Sequence, residues 1–258
     1  MSAISIRDLQ HAEGGRVVLD IPHLEIGEGN IVAVLGPTGC GTTTLLHLLA
    51  GLREIQGRGS LTVAGTSASA ASRAGGISYS FQTPVLMPWR TVSGNVELPR
   101  ELRAMANDAC KTAAALALVR LSDKADAFPN TLSSGMRSRV AVAQAIVAGG
   151  RVLLMDEVFG TLDEATRVSM DLMLRQINAN TIGATIIFVT HNIDEALLVA
   201  DRILLFQALS TRPGQLTIVA DDPVMLGPRS LDSRYTEIFI EHKKRLESLF
   251  FEELRHVG

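Results

Sequence analysis

The stretch IVAVLGPTGCGTTTLLHLLAGL, residues 31–52, constrains the fold of this chain more than any other. Five apolar residues, too few for a helix, precede a cluster of glycines and then a helical pattern of leucines. That order reads as a buried strand, a tight turn and an amphipathic helix. The stretch carries no formal charge, but a membrane-spanning helix needs about twenty mostly apolar residues. Its centre, GPTGCGTTT, is small, polar and interrupted by Pro37, which excludes that alternative.

Gly36, Gly39 and Gly41, with Pro37, Thr38 and Cys40 between them, deliver backbone N–H groups to a helix start. The helix dipole favours an anion at such a spot. Thr43 stands where a phosphate-binding loop carries the hydroxyl that ligates Mg2+, and Thr44 completes the candidate phosphate contacts. Thr42, however, stands where such a loop carries lysine. On these residues alone, a phosphate-binding loop and a glycine-rich corner remain equally open.

The rest of the chain continues the alternation. AISIRDL and RVVLDIPHLEI read as short strands before the turn GEGN, and GRGSLTVAGTSA and GGISYSF as further strands separated by Gly/Ser turns. From about Thr91 to Ala148 the pattern is helical and alanine-rich. RVLLMDE, the helix DEATRVSMDLMLRQINA, ATIIFVTH, the helix IDEALLVA and RILLF then return to apolar strands between helices. Such alternation predicts a parallel sheet covered on both faces. After Ala208 a β excursion and an amphipathic helix from Ser233 are expected.

Composition narrows the function. A net charge of −3 leaves no basic excess for nucleic acid. Two cysteines, Cys40 and Cys110, make neither a disulfide framework nor a metal cluster, so a reducing compartment is expected. MSAISIRDLQ has neither the basic start nor the apolar run of a signal peptide, and no transmembrane segment is expected.

Val152 to Met155 read as a central strand delivering Asp156 and Glu157 at its carboxyl end, where open α/β sheets bind ligands. Asp156 suits Mg2+ held through water, and Glu157 suits orienting or deprotonating an attacking water. The same pair also reads as an acidic helix start. FVTHN sets His191 at the end of another strand, either to contact a γ-phosphate or as a structural histidine. No second histidine or cysteine at ligand spacing supports zinc.

Taken in order, the glycine loop, SFQTPVLMPWRTVSGNV, FPNTLSSGMRSRVAVAQA, RVLLMDEVFGTLD and FVTHNIDEAL resemble the ATP-binding cassette ATPases of ABC transporters. The resemblance spans about Ile4 to Phe206 and is specific as a set. VLMPWRTVSGNV paired with LSSGMRSRV is most similar to the importer subgroup for nitrate, sulfonate, taurine and bicarbonate. The resemblance implies an α/β P-loop NTPase (RecA-like) core, residues 1–90 and 149–210, with an N-terminal antiparallel β subdomain. It implies an inserted helical subdomain over 91–148 and a C-terminal β excursion and helix over 211–258.

Matched residue by residue, Gln82 is the Q-loop glutamine, linking Mg2+ and water to the helical subdomain. Ser133 and Gly135 belong to the signature that caps a nucleotide held by a second cassette. Asp156 and Glu157 match the Mg2+ aspartate and catalytic glutamate, Asp163 the D-loop aspartate and His191 the switch histidine. The implied cofactors are ATP and Mg2+. The implied partners are a second cassette and a membrane permease, with the chain peripheral on the cytoplasmic face.

The departures fall at chemically important positions. Thr42 replaces lysine, and no lysine precedes Lys111. A charged hydrogen bond contributes about 1.5–3 kcal/mol, so triphosphate binding should weaken by roughly ten- to a hundredfold. Ser134 replaces a signature glycine, adding a side chain where backbone would need close approach or positive φ. Val158 replaces proline and Asn192 replaces aspartate. An adenine-stacking aromatic is missing from LQHAEGG, with His11 its nearest substitute. A non-catalytic regulatory or structural cassette paired with an active homologue is therefore the alternative to an active importer ATPase. The same departures favour a heterodimer over a homodimer.

Overall fold

The computed structural model describes residues 2–37, 41–158, 160, 170, 173–178, 183–208, 215–227 and 229–252. Strands β1 (Ser2–Glu13) and β2 (Arg16–Gly27) form an antiparallel hairpin. Each is twelve residues long, longer than the short strands read from the sequence. Only Gly14 and Gly15 separate them, both at positive φ (57° and 80°), as a two-residue turn that follows strand twist requires.

β3 (Ile31–Leu35) leads to helix α1 (Thr42–Leu49), followed by β4 (Gly57–Val63) and β5 (Thr66–Ser67). A short helix α2 (Ala68–Arg73), capped by the Ser67 side chain on the Ala70 N–H, precedes β6 (Ile77–Ser80). This helix lies where the sequence suggested only a Gly/Ser turn. Its SASAAS composition shows no apolar face longer than two buried alanines.

The second half supplies β7 (Val152–Asp156), β8 (Thr185–Thr190), β9 (Arg202–Ala208) and β10 (Leu216–Pro223). All strands join one sheet of order β5-β4-β1-β2-β10-β9-β3-β8-β7-β6. The run β9-β3-β8-β7-β6 is parallel, and β5-β4-β1-β2 antiparallel. β10 joins the halves, antiparallel to β9 and parallel to β2 at Leu216 opposite Leu19. The C-terminal excursion thus belongs to the main sheet.

Side-chain alternation explains why the parallel strands read as unbroken apolar runs. Ile31, Ala33 and Leu35 of β3 face one apolar cluster, and Val32 and Val34 face another. β7 and β8 divide in the same way, with Leu153, Met155, Ile186 and Phe188 on the first side. Val152, Leu154, Ile187 and Val189 take the second. Both faces are covered, so no polar face is needed. The second cluster lies between the strands and α1, whose Leu45, Leu46, Leu48 and Leu49 are buried with Ile6, Leu19 and Ile21 of the hairpin.

The first cluster holds the helical insertion: α3 (Val92–Leu102), α4 (Ala109–Leu118) and α5 (Ser134–Ala148). Thr91, Asp108 and Ser133 cap these helices by accepting the N–H of Gly94, Lys111 and Met136. Pro99 sits inside α3 and has no N–H for the Asn95 carbonyl. Gln144 of α5 donates its side-chain amide to that carbonyl at 3.1 Å, which replaces the lost bond and ties the two helices.

A buried ionic group secures α3 to α4. Glu97 accepts from Arg100 Nε at 3.2 Å, from the Asp108 N–H at 3.1 Å and from the Thr112 hydroxyl. Removing one member of a buried pair strands the other and costs about 3–5 kcal/mol. Glu97→Ala is therefore expected to lower unfolding stability in urea by about 3 kcal/mol. A loss under about 0.5 kcal/mol would show the group contributes little.

Helices α6 (Ile193–Val199) and α7 (Glu237–Glu252) complete the first side, with Phe239 and Leu246 in its cluster. Lys243 of α7 pairs with Asp194 of α6 at 2.8 Å. The α-helix begins at Glu237 rather than Ser233, because a 3-10 turn, Leu231–Tyr235, precedes it. Among the described residues no helix is long and apolar enough to cross a membrane.

Candidate functional site

The glycine loop leaves β3 through buried Gly36 and partly buried Pro37. Thr38, Gly39 and Cys40 lie outside the described residues, as does Asp163. Gly41 opens α1 at φ 104°, where a Cβ would sit 2.9 Å from Leu216 Cδ1. The dihedral requires glycine, whereas the flexible end of the Leu216 side chain could shift. Among the described residues no side chain caps α1, and the first N–H groups of a helix favour an external anion. Thr42, the first residue of this helix, is buried.

Thr43 and Asp156, 113 residues apart, meet at this helix start: the hydroxyl donates to Asp156 Oδ1 at 3.3 Å. Asp156 is 4% exposed, and its Oδ2 accepts from the Tyr79 hydroxyl at 3.4 Å. Burial, then the charge of Asp156 and their hydrogen bond, push the Tyr79 phenol above its ordinary range. Tyr79 therefore remains a donor across the physiological range. Its ring packs near those of His47 (centroids 5.9 Å) and Phe81 (4.4 Å). Burial and the nearby Arg53 hold His47 below its ordinary value. The sequence reading missed Tyr79; its only signal is a place three residues before Gln82 on the strand ISYS.

Glu157, Gln82 and His191 also converge. Gln82 Nε2 donates to Glu157 Oε2 at 2.9 Å, and His191 Nδ1 lies 3.9 Å from Glu157 Oε1. Parallel pairing explains the meeting: Asp156 of β7 is level with Val189 of β8, and Ser80 of β6 with Met155 of β7. Gln82, Glu157 and His191 thus follow three neighbouring strand ends. Glu157 has φ 45°, a region non-glycine residues rarely occupy and one that clusters at functional sites. Its N–H donates to the Val189 carbonyl, which anchors the turn.

Two expectations need correction. His11 lies within β1 with only 2% of its surface exposed, and its Nδ1 accepts the Gln56 N–H at 3.0 Å. A ring covered to that extent has no open face for an adenine, so His11 does not replace the missing aromatic. Ser134 is the first residue of α5 and is not among the residues at positive φ. Its side chain is exposed, so positive φ is no reason for glycine here, and the close approach to a phosphate concerns a nucleotide held by a second cassette.

The other departures are accommodated locally. Val158 is buried in the first cluster. Asn192 caps α6 by accepting the Glu195 N–H at 3.2 Å, a position where Asn and Asp serve equally well. Asn192→Asp should change the melting temperature by under about 2 °C, whereas Asn192→Ala should cost about 1 kcal/mol. Equal losses in thermal unfolding would refute the capping role. Ser133 and buried Gly135 lie at the start of α5, and among the described residues no hydrogen bond joins them to the α1 site.

The ABC transporter family model matches residues 19–160, more than half of the chain. The chain belongs to the ABC transporter family. It is 42% identical over 207 residues to aliphatic sulfonates import ATP-binding protein SsuB 2 of Frankia alni, covering 80% of this chain and 78% of that protein. Identity to the protein of that name from Rhodococcus jostii is 38% over 241 residues, covering 92% and 89%. The fold is similar to that of the ATP-binding cassette MJ0796, seen as a dimer in a post-hydrolysis state bound to ADP and Pi. The TM-score is 0.73 at 24% identity, covering 86% of this chain and 98% of that one.

ABC cassettes bind nucleotide, and the donors here fit a nucleotide with a hard divalent cation. The start of α1 suits phosphate, and a hydroxyl beside a carboxylate is a donor set that would suit Mg2+. No group of three His, Cys, Asp or Glu among the described residues forms a separate metal site.

Proposed function

We propose that this chain is the ATP-binding subunit of an importer for aliphatic sulfonates or similar small anions. It works peripherally on the cytoplasmic face, where ATP-dependent pairing of two cassettes drives a membrane permease. One observation carries the reading: Thr43 meets Asp156, and Gln82 meets Glu157, with His191 beside it, at neighbouring strand ends. The names of the relatives supply the substrate class.

In this reading Glu157 orients the attacking water and accepts its proton, with Gln82 fixing the carboxylate. His191 would contact the γ-phosphate, and Thr43 and Asp156 would hold Mg2+. Bound Mg2+ supplies charge neutralisation at the phosphate oxygens. Ser133 accepts one N–H as a cap and keeps its own proton, which it donates, with the Gly135 amide, to a nucleotide on the second cassette. The second cassette is a homologue that retains the lysine. In that heterodimer the site built on Thr42 is slow, and the site completed by LSSGM of this chain turns over faster.

The test is Mg·ATP binding and single-turnover hydrolysis by the purified chain, alone and with a lysine-bearing partner. Binding with slow turnover, accelerated by the partner, is the expected result. Binding without any turnover at this chain's own site would identify a regulatory cassette. Absence of ATP binding would remove the catalytic roles.

A further inference from the structure

Glu13 closes β1 beside the two-glycine turn, and its Oε1 meets groups from both ends of α1. The Thr44 hydroxyl, in the first turn, donates to that oxygen at 3.2 Å. The Arg53 guanidinium, just beyond the helix, pairs with the same atom. One carboxylate oxygen thus links a cation to the hydroxyl of a helix turn that has no side-chain cap among the described residues. The first turn of α1, the end at which the helix dipole favours negative charge, has a carboxylate on one of its hydroxyls.

The pair is exposed, with 42% of the Glu13 side chain and 46% of Arg53 open to solvent. Solvent-exposed pairs are weak and readily exchange partners. An incoming phosphate offers more charge than a carboxylate, and the planar guanidinium matches phosphate oxygens bidentately. Thr42 provides no ammonium, and no lysine precedes Lys111.

Resting on the ATP-binding reading above, we propose that Glu13 and Arg53 form an exchangeable pair at the nucleotide site. The Glu13 carboxylate holds both the Thr44 hydroxyl and Arg53. A nucleotide phosphate displaces it, and Arg53 supplies from outside the loop part of the charge that Thr42 lacks. Arg53 is then a phosphate-binding residue, and Glu13 is a competitor for the same site.

Calorimetric binding of ATP and of inorganic tripolyphosphate to the native chain, Glu13→Gln and Arg53→Gln tests this, with thermal unfolding as the folding control. Arg53→Gln should weaken both ligands by about tenfold at low salt, with a smaller difference at high salt. Glu13→Gln should strengthen both severalfold, which misfolding or loss of a merely structural pair cannot produce. Unchanged binding in both variants, or weakening in both, overturns the inference alone. Weakening by Arg53→Gln confined to ATP overturns the phosphate assignment. Failure of the native chain to bind either ligand overturns the ATP-binding reading and this inference with it.

Discussion

Thr42→Lys should tighten ATP binding by roughly ten- to a hundredfold and raise the single-turnover rate by about 10²–10³. The first factor follows from restoring one charge-assisted hydrogen bond to the phosphates. The second follows from placing a fixed positive group where charge develops in the transition state. The backbone should tolerate the change, because position 42 is the first residue of α1 and keeps helical geometry. The glycine turn at Gly41 and the Thr43–Asp156 bond are untouched by it. Quench-flow hydrolysis with radiolabelled ATP, beside equilibrium binding, measures both numbers. Equal rates in the native and lysine chains would show that the loop amides and Arg53 already provide what the ammonium would add.

Glu157→Gln has the second large expected effect, a fall in single-turnover hydrolysis of about 10²–10⁴. Glutamine keeps the volume of the side chain and can still accept from Gln82, but it cannot take a proton from water. It places no new bulk at the φ 45° turn, so folding should be retained. ATP affinity should change by less than about twofold, since a proton-accepting group acts on the rate rather than on ground-state binding. The Thr42→Lys background gives the largest signal for this comparison. Turnover that survives the substitution would move the base role to another group, with His191 the nearest.

Much of the architecture was legible in the residues themselves. IVAVL, VLLM and TIIFV could be read as parallel strands because burial on both faces leaves no polar alternation. Asp156, Glu157 and His191 were legible for the same reason, since each stands where such a run stops. The helix α2 escaped notice because SASAAS carries no periodic apolar face. His11 looked available because nothing in LQHAEGG reveals that the ring accepts the Gln56 N–H and is only 2% exposed. Ser134 looked misplaced because a glycine position suggests positive φ, which the start of α5 does not have.

The sequence alone determined the order of strands and helices apart from α2, the family of motifs they carry and the absence of lysine from the phosphate loop. These are local properties, set by periodicity and residue type along a few neighbouring positions. Tertiary structure alone decided which groups from distant segments share an atom. It joined Tyr79 to Asp156, Gln82 to Glu157, and Thr44 with Arg53 to Glu13. The physical reason is that strand register, which sets these meetings, comes from pairing between segments as distant along the chain as Leu19 and Leu216. Local propensity along the chain carries no record of that pairing.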